Sequence, residues 1–100
     1  MTKASRDLLT TDEINSEIQA RNGWKLVGNK IEKHLKFKDF GAGMDFISML
    51  VKPADELDHH PDIRIVYNQV TLTLFTHDRG GLTALDFELA DLIDREIQSK

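Results

Sequence analysis

The chain has no cysteine and only two prolines, one tryptophan and one tyrosine among its 100 residues. Each shortage removes a class of function. Without cysteine there is no disulfide framework, no thiolate metal ligand and no thiol nucleophile. No apolar run approaches the roughly 20 residues that cross a bilayer as a helix, and residues 1–10 lack the apolar core of a secretory signal. A cytoplasmic protein without a membrane partner is expected. Positive charge is not in excess either: Lys and Arg number 13 against 17 Asp and Glu, a formal net charge of -4. That balance offers no general attraction for phosphate backbones, so direct binding of nucleic acid is not expected. What is present is ordinary. A composition 40% hydrophobic and 30% charged describes one compact domain over residues 1–100. A domain this short buries only about two-thirds of the surface its unfolded chain exposes, which makes a homodimer or homotetramer an expectation.

The pattern of apolar residues predicts the elements. Thr10-Thr11-Asp12-Glu13 has the form of a capping box, and Ile14 with Ile18 gives the helix behind it a narrow apolar stripe. Residues 1–9 are expected to fray. After Asn22-Gly23 a short strand runs from Trp24 to Val27, with Trp24 and Leu26 on one face, and Gly28-Asn29-Lys30 turns it into a second strand. That second strand alternates Ile31, Lys33, Leu35 and Phe37 with a polar set that includes His34, read as a solvated residue without a role. Asp39 is placed to cap a long helix that covers the sheet with Phe40, Met44, Ile47, Leu50 and Val51, and Met44 and Met49 are read as core filler. Pro53 either kinks that helix or breaks it in two. A second hairpin follows, from Ile63 to Tyr67, through Asn68-Gln69, and from Val70 to His77, with Val70, Leu72, Leu74 and Thr76 facing the helices. The turn at Asp78-Arg79-Gly80-Gly81 leads to a helix capped by Thr83, in which Leu85, Leu89, Ile93 and Ile97 recur every fourth residue. The order helix-strand-strand-helix-strand-strand-helix gives an α+β fold: a four-stranded antiparallel sheet with helices packed on one face.

Three of the four histidines, His59, His60 and His77, would be gathered at the second hairpin. Pro61 biases His60 towards an extended backbone, so the pair sits at a helix exit where neighbouring side chains splay apart. The end of the last strand can return towards them, and Asp86 is placed to orient an imidazole. Three readings follow from the residues. The histidines can act as acid and base in a metal-free elimination or hydration, since imidazole titrates near neutrality. They can bind zinc with Asp58 or Asp86, although adjacent histidines are not the one-face pair of helical zinc sites and no cysteine assists. Or they can cap helix carbonyls and decorate a strand.

The spacing carries more. Asp55, three residues, His59-His60-Pro61, five residues, Tyr67, nine residues, His77, eight residues, Asp86 resembles the pterin-4a-carbinolamine dehydratase family, whose animal members are also dimerisation cofactors of a homeodomain transcription factor. Phe37-Lys38-Asp39-Phe40, Thr76-His77-Asp78, Gly81-Leu82-Thr83, Leu85-Asp86 and Trp24 agree with it too, and the likeness runs from about Leu9 to Ile97. The resemblance implies an enzyme that takes water from 4a-hydroxytetrahydropterin in tetrahydrobiopterin recycling, giving quinonoid dihydropterin. It implies catalytic roles for His59, His60 and His77, and a pterin site that includes Asp58, Pro61, Thr76, Asp86 and Trp24. Neither a metal nor a cofactor is implied. The alternative it carries is a non-catalytic protein-binding module.

Two positions depart from the family pattern. Many relatives have an aromatic residue and an Asn after the acidic residue that follows the proline, where this chain has Asp62-Ile63-Arg64-Ile65-Val66. The pocket rim is therefore expected to be less aromatic. Pro53 replaces a run of Ala, Glu and Leu, and stands just ahead of His59 and His60.

Overall fold

The computed structural model describes residues 7–98. Helix α1 (Thr11–Gln19) starts at the expected capping box: the Thr10 hydroxyl accepts from the Glu13 N–H, and the Glu13 carboxylate accepts from the Thr10 N–H. Most of the expected frayed end, residues 1–6, lies outside the described residues. Leu8 and Leu9 are tied down, with the Leu9 N–H donating to the Leu82 carbonyl at 2.9 Å.

Strands β1 (Lys25–Val27) and β2 (Lys30–Lys36) form a hairpin whose two-residue loop opens on Gly28. Strands β3 (Asp62–Val66) and β4 (Gln69–Leu74) form the second hairpin, and β2 pairs with β4 to give one antiparallel sheet in the order β1-β2-β4-β3. The second turn falls one residue earlier than expected, on Tyr67-Asn68, because Val66 pairs with Gln69. Tyr67 accordingly takes the left-handed backbone that a tight hairpin demands, at φ 53. Alternation holds along β4: Val70, Leu72 and Leu74 are buried, while Thr71 and Thr73 lie on the open face. β1 is an edge strand, and of its expected pair only Trp24 is buried while Leu26 is exposed.

The middle helix comes in two pieces, α2 (Phe40–Met49) and α3 (Val51–Leu57), hinged at Leu50. Pro53 is the cause. It has no N–H to give the Met49 carbonyl and its ring would clash with that group, so the first helix stops and Pro53 takes a place in the first turn of α3, where no N–H is required. Helix α2 is capped as expected, with Asp39 accepting from the Ala42 N–H at 2.8 Å. Its buried face is only partly the expected one: Leu50 is buried and Ile47 packs on the core, as expected. Gly43 and Phe46, with Leu50 at the hinge, face the sheet, whereas Phe40, Met44 and Val51 are exposed, Met44 by 42%. Gly43 decides this: a Cβ there would stand 3.1 Å from the Ile65 side chain and 3.5 Å from that of Val70, so the helix comes closest to the sheet along the line that lacks a side chain. Met49 does pack on the core as expected, and Met44 does not.

Helix α4 (Ala84–Gln98) closes the core with Leu85, Leu89 and Ile93. The predicted α+β architecture, a four-stranded antiparallel sheet backed by helices, is the observed one. Among the described residues, no helix is long and apolar enough to cross a membrane.

Candidate active site

The end of α3 places the first histidine. Asp58 adopts a left-handed backbone at φ 51, and two reverse bonds follow: its own N–H donates to the Asp55 carbonyl at 3.1 Å, and the His59 N–H to that of Ala54 at 3.0 Å. This paired pattern satisfies the last carbonyls of the helix through backbone groups. The imidazoles are thereby released from the capping role, and the two rings part. His59 turns inwards and is only 7% exposed; His60 turns out, 58% exposed.

Inside, His59 Nε2 lies 2.6 Å from Oδ1 of Asp86, whose side chain is fully buried. Asp86 stands in the third position of α4, and its other oxygen accepts twice, from the Thr76 hydroxyl at 2.8 Å and from the Thr83 N–H at 2.9 Å. Thr83-x-x-Asp86 makes half of a capping box, the Asp86 carboxylate accepting from the Thr83 N–H, and the same oxygen also ties in Thr76 beyond the end of β4. Since a carboxylate only accepts, the His59 ring carries its hydrogen on Nε2, and the other nitrogen is the one with a lone pair in the neutral ring. Outside, His60 Nε2 is 2.9 Å from Oδ1 of Asp55, five residues back on α3. His77, 67% exposed, stands 3.9 Å from Asp62 at the start of β3 and meets the Phe75 ring edge to face, centroids 4.9 Å apart. The turn from His77 to Gly80, closed by Gly80 at φ 72, brings Thr76 opposite Gly81 and so sets His77 and Thr83 on the same corner.

The structure therefore joins His59, Asp86 and Thr76 in one buried network and sets Asp58, His60 and Pro61 beside it along the chain. Trp24 is elsewhere. Its indole N–H donates to Asp94 at 3.1 Å, Lys33 binds the same carboxylate at 2.7 Å, and the ring belongs to the core. That corner borders a polar cavity of about 480 Å³, whose Arg21, Lys33, Asp91 and Asp94 are already paired with one another. Burial lowers the pKa of Arg21, and hydrogen bonds to Asp91 and Glu17 more than offset it, so the guanidinium ends above its ordinary value. A smaller cavity, about 160 Å³ and mostly apolar, opens directly beside His60, between Leu50, Ala54, Asp55, Pro61 and Ile63.

Asp55, Asp62 and Thr83 were not among the residues singled out as site residues. Asp55 and Thr83 were visible as spacing, five before His60 and three before Asp86; the pairing of Asp62 with His77 is set by the sheet alone. The two adjacent histidines are bonded to different carboxylates, His59 to Asp86 and His60 to Asp55. No group of three or more His, Cys, Asp or Glu side chains among the described residues is arranged to hold a metal ion.

Residues 7–96 match the family model described as pterin 4 alpha carbinolamine dehydratase. The chain belongs to that family. A relative from Cyanothece sp., provisionally named a pterin-4-alpha-carbinolamine dehydratase, is 53% identical over 88 residues, covering 88% of this chain and 91% of its own. One with the same provisional name from Sulfurisphaera tokodaii is 48% identical over 86 residues, 86% of this chain and 92% of its own. A crystal structure of a Brucella melitensis protein, described as a transcriptional coactivator/pterin dehydratase, superposes with a TM-score of 0.85 at 36% identity, over 90% of this chain and 98% of that one. Membership of the family and the shared fold account for the sheet and the helices together.

Proposed function

We propose that this chain dehydrates 4a-hydroxytetrahydropterin, the step that returns an oxidised pterin towards its tetrahydro form. The observation that carries the reading is the histidine corner. One imidazole is buried and fixed on a carboxylate, and two exposed ones flank it on neighbouring elements. Carbon 4a of the substrate bears a hydroxyl beside N5. Elimination breaks the C4a–O bond, and the oxygen leaves as water once an acid has protonated it; a base takes the N5 proton, and the electron pair of that N–H bond becomes the new C=N bond. Groups that titrate near neutrality serve both ends of that transfer. His60 and, in its imidazolium form, His59 are the candidates for the acid, and His77 for the base or for orienting the substrate; a neutral His59, with its lone pair on Nδ1, serves as base instead. Asp86 and Asp55 hold the rings of His59 and His60. Pro61 lines the apolar cavity beside His60, which offers a face for a flat ring, and exposed Asp58, just before the histidine pair, is the candidate for a polar contact to the substrate. Trp24, committed to Asp94, is given no substrate contact.

The test is the rate of 4a-hydroxytetrahydropterin breakdown with wild-type and His60→Ala protein, both after chelator treatment. Acceleration that survives chelation and is lost in the variant supports the reading; acceleration lost on chelation would point to a metal, and none at all to a binding module.

A second reading has its own support. Phe40 and Met44 make an exposed apolar stripe on α2, continued by Val51 on α3, and the Brucella melitensis protein of the same fold is described as a coactivator as well as a dehydratase. The stripe suits self-association into a homodimer or homotetramer and, in place of catalysis, contact with a regulatory protein. Sedimentation of wild-type and Met44→Glu protein distinguishes a self-associating stripe from one left free for another partner.

A further inference from the structure

The buried hydroxyls behind Asp86 have only one self-consistent arrangement of their protons. The Leu85 N–H donates to the Thr83 Oγ1 at 3.3 Å, which leaves that hydroxyl free to act as a donor. The Thr76 hydroxyl gives its single proton to Asp86 Oδ2 at 2.8 Å. The 2.9 Å bond between the two hydroxyls must therefore run from Thr83 to Thr76. Every donor in the set points the same way: Leu85 N–H to Thr83, Thr83 O–H to Thr76, Thr76 O–H to Asp86, with the Thr83 N–H joining at the same carboxylate oxygen. Thr76, Thr83 and Asp86 are all fully buried, so no water competes for these bonds.

We propose that Thr83 and Thr76 are positioning residues for the dehydration: they lock Oδ2 of Asp86 as an acceptor, leaving Oδ1 to hold the hydrogen on His59 Nε2. Two donors on Oδ2 set the plane of the carboxylate and leave it nothing to gain by rotating. The remaining oxygen then fixes one tautomer of His59 and one ring orientation. Neither threonine touches substrate, because both side chains are sealed in the core and each hydroxyl proton is already given. The segment just before the His77 turn and the start of the helix carrying Asp86 are also clipped together by the same two hydroxyls, so the buried and the exposed histidine share one frame.

This inference rests on the dehydratase reading for its kinetic test, but not for its spectroscopic one. Thr83→Val and Thr76→Val replace each hydroxyl with a methyl of nearly the same size; Thr83→Ser and Thr76→Ser keep the hydroxyl. Two-dimensional proton–nitrogen NMR of the imidazoles reads the His59 tautomer directly. Expected is a single tautomer protonated at Nε2 in the wild type and both serine variants, a mixture in Thr76→Val, and a smaller shift in Thr83→Val, which keeps its N–H on Oδ2 and loses only the hydroxyl that orients Thr76. In the dehydration assay kcat should fall on the order of 10-fold to 100-fold in the valine variants, with KM unchanged, and recover in the serine variants. An unchanged tautomer and unchanged kcat in folded Thr76→Val, which loses a donor on Oδ2, would overturn the proposal. If a valine variant does not fold, its serine counterpart decides instead, because retained Nε2 protonation there is required. A wild type that does not dehydrate the pterin, yet shows the single tautomer lost in the valine variants, defeats the functional reading and leaves the positioning role standing.

Discussion

His59 Nε2 lies 2.6 Å from Asp86 Oδ1 inside the protein, with the carboxylate wholly buried and the imidazole 7% exposed. A pair held this way answers to the loss of either member. His59→Ala should slow dehydration on the order of 100-fold to 10,000-fold if the ring exchanges a proton with substrate. Asp86→Asn keeps the shape but turns an NH2 towards one of three donors, leaving a buried donor unpaired at a cost of about 1–3 kcal/mol. Urea midpoints should show that loss in Asp86→Asn, alongside slower turnover.

Ile63 stands on the apolar cavity beside His60 and is 41% exposed, where an aromatic ring would present a face to a flat substrate. Ile63→Trp should lower KM roughly 2-fold to 10-fold, from a stacking gain of about 0.5–1.5 kcal/mol, with little change in kcat. Steady-state kinetics on the two proteins measure it; a rise in KM would place the pterin away from this cavity.

Tyr67 occupies a left-handed position, φ 53, that its side chain disfavours, and that side chain is largely exposed. Asn tolerates the same backbone far better. Tyr67→Asn should therefore stabilise the fold by about 0.5–1 kcal/mol, visible as a rise of roughly 2–8 °C in Tm. Calorimetry is the check.

Gly43 lies where α2 passes closest to β3 and β4. Gly43→Val adds a branched side chain within 3.1 Å of Ile65, and should cost about 1–3 kcal/mol by pushing the helix off the sheet. Equilibrium unfolding in urea would show it, and a midpoint equal to wild type would mean that the helix can shift without loss.

The elements were legible where a local signal has one meaning. The capping box at Thr10, the Asp39 cap and the alternation from Val70 to Leu74 each point to one geometry, because they depend on neighbours within a few residues. Helix α2 meets the sheet as expected at Ile47 and Leu50 but not along the rest of its apolar face, for the opposite reason. Phe40, Met44 and Val51 are apolar at helical spacing, but the approach to the sheet is set by the missing side chain at Gly43, and hydrophobicity says nothing about clearance. Likewise the second turn moved by one residue to Tyr67-Asn68: register belongs to the paired strands, and Tyr67 bears the strain.

The sequence by itself determined the α+β order of elements, an interruption of the middle helix at Pro53, and the spacing from Asp55 to Asp86 that marks the family. Those features are local or additive, so a linear reading carries them. Only the tertiary structure decided that His59 goes inwards to Asp86 while His60 goes outwards to Asp55, and that Thr76 and Thr83 meet behind the buried carboxylate. The reason is physical: a left-handed Asp58 aims two consecutive side chains differently, and a hydrogen bond between strand β4's end and α4 exists only once the sheet and helix have closed on one another.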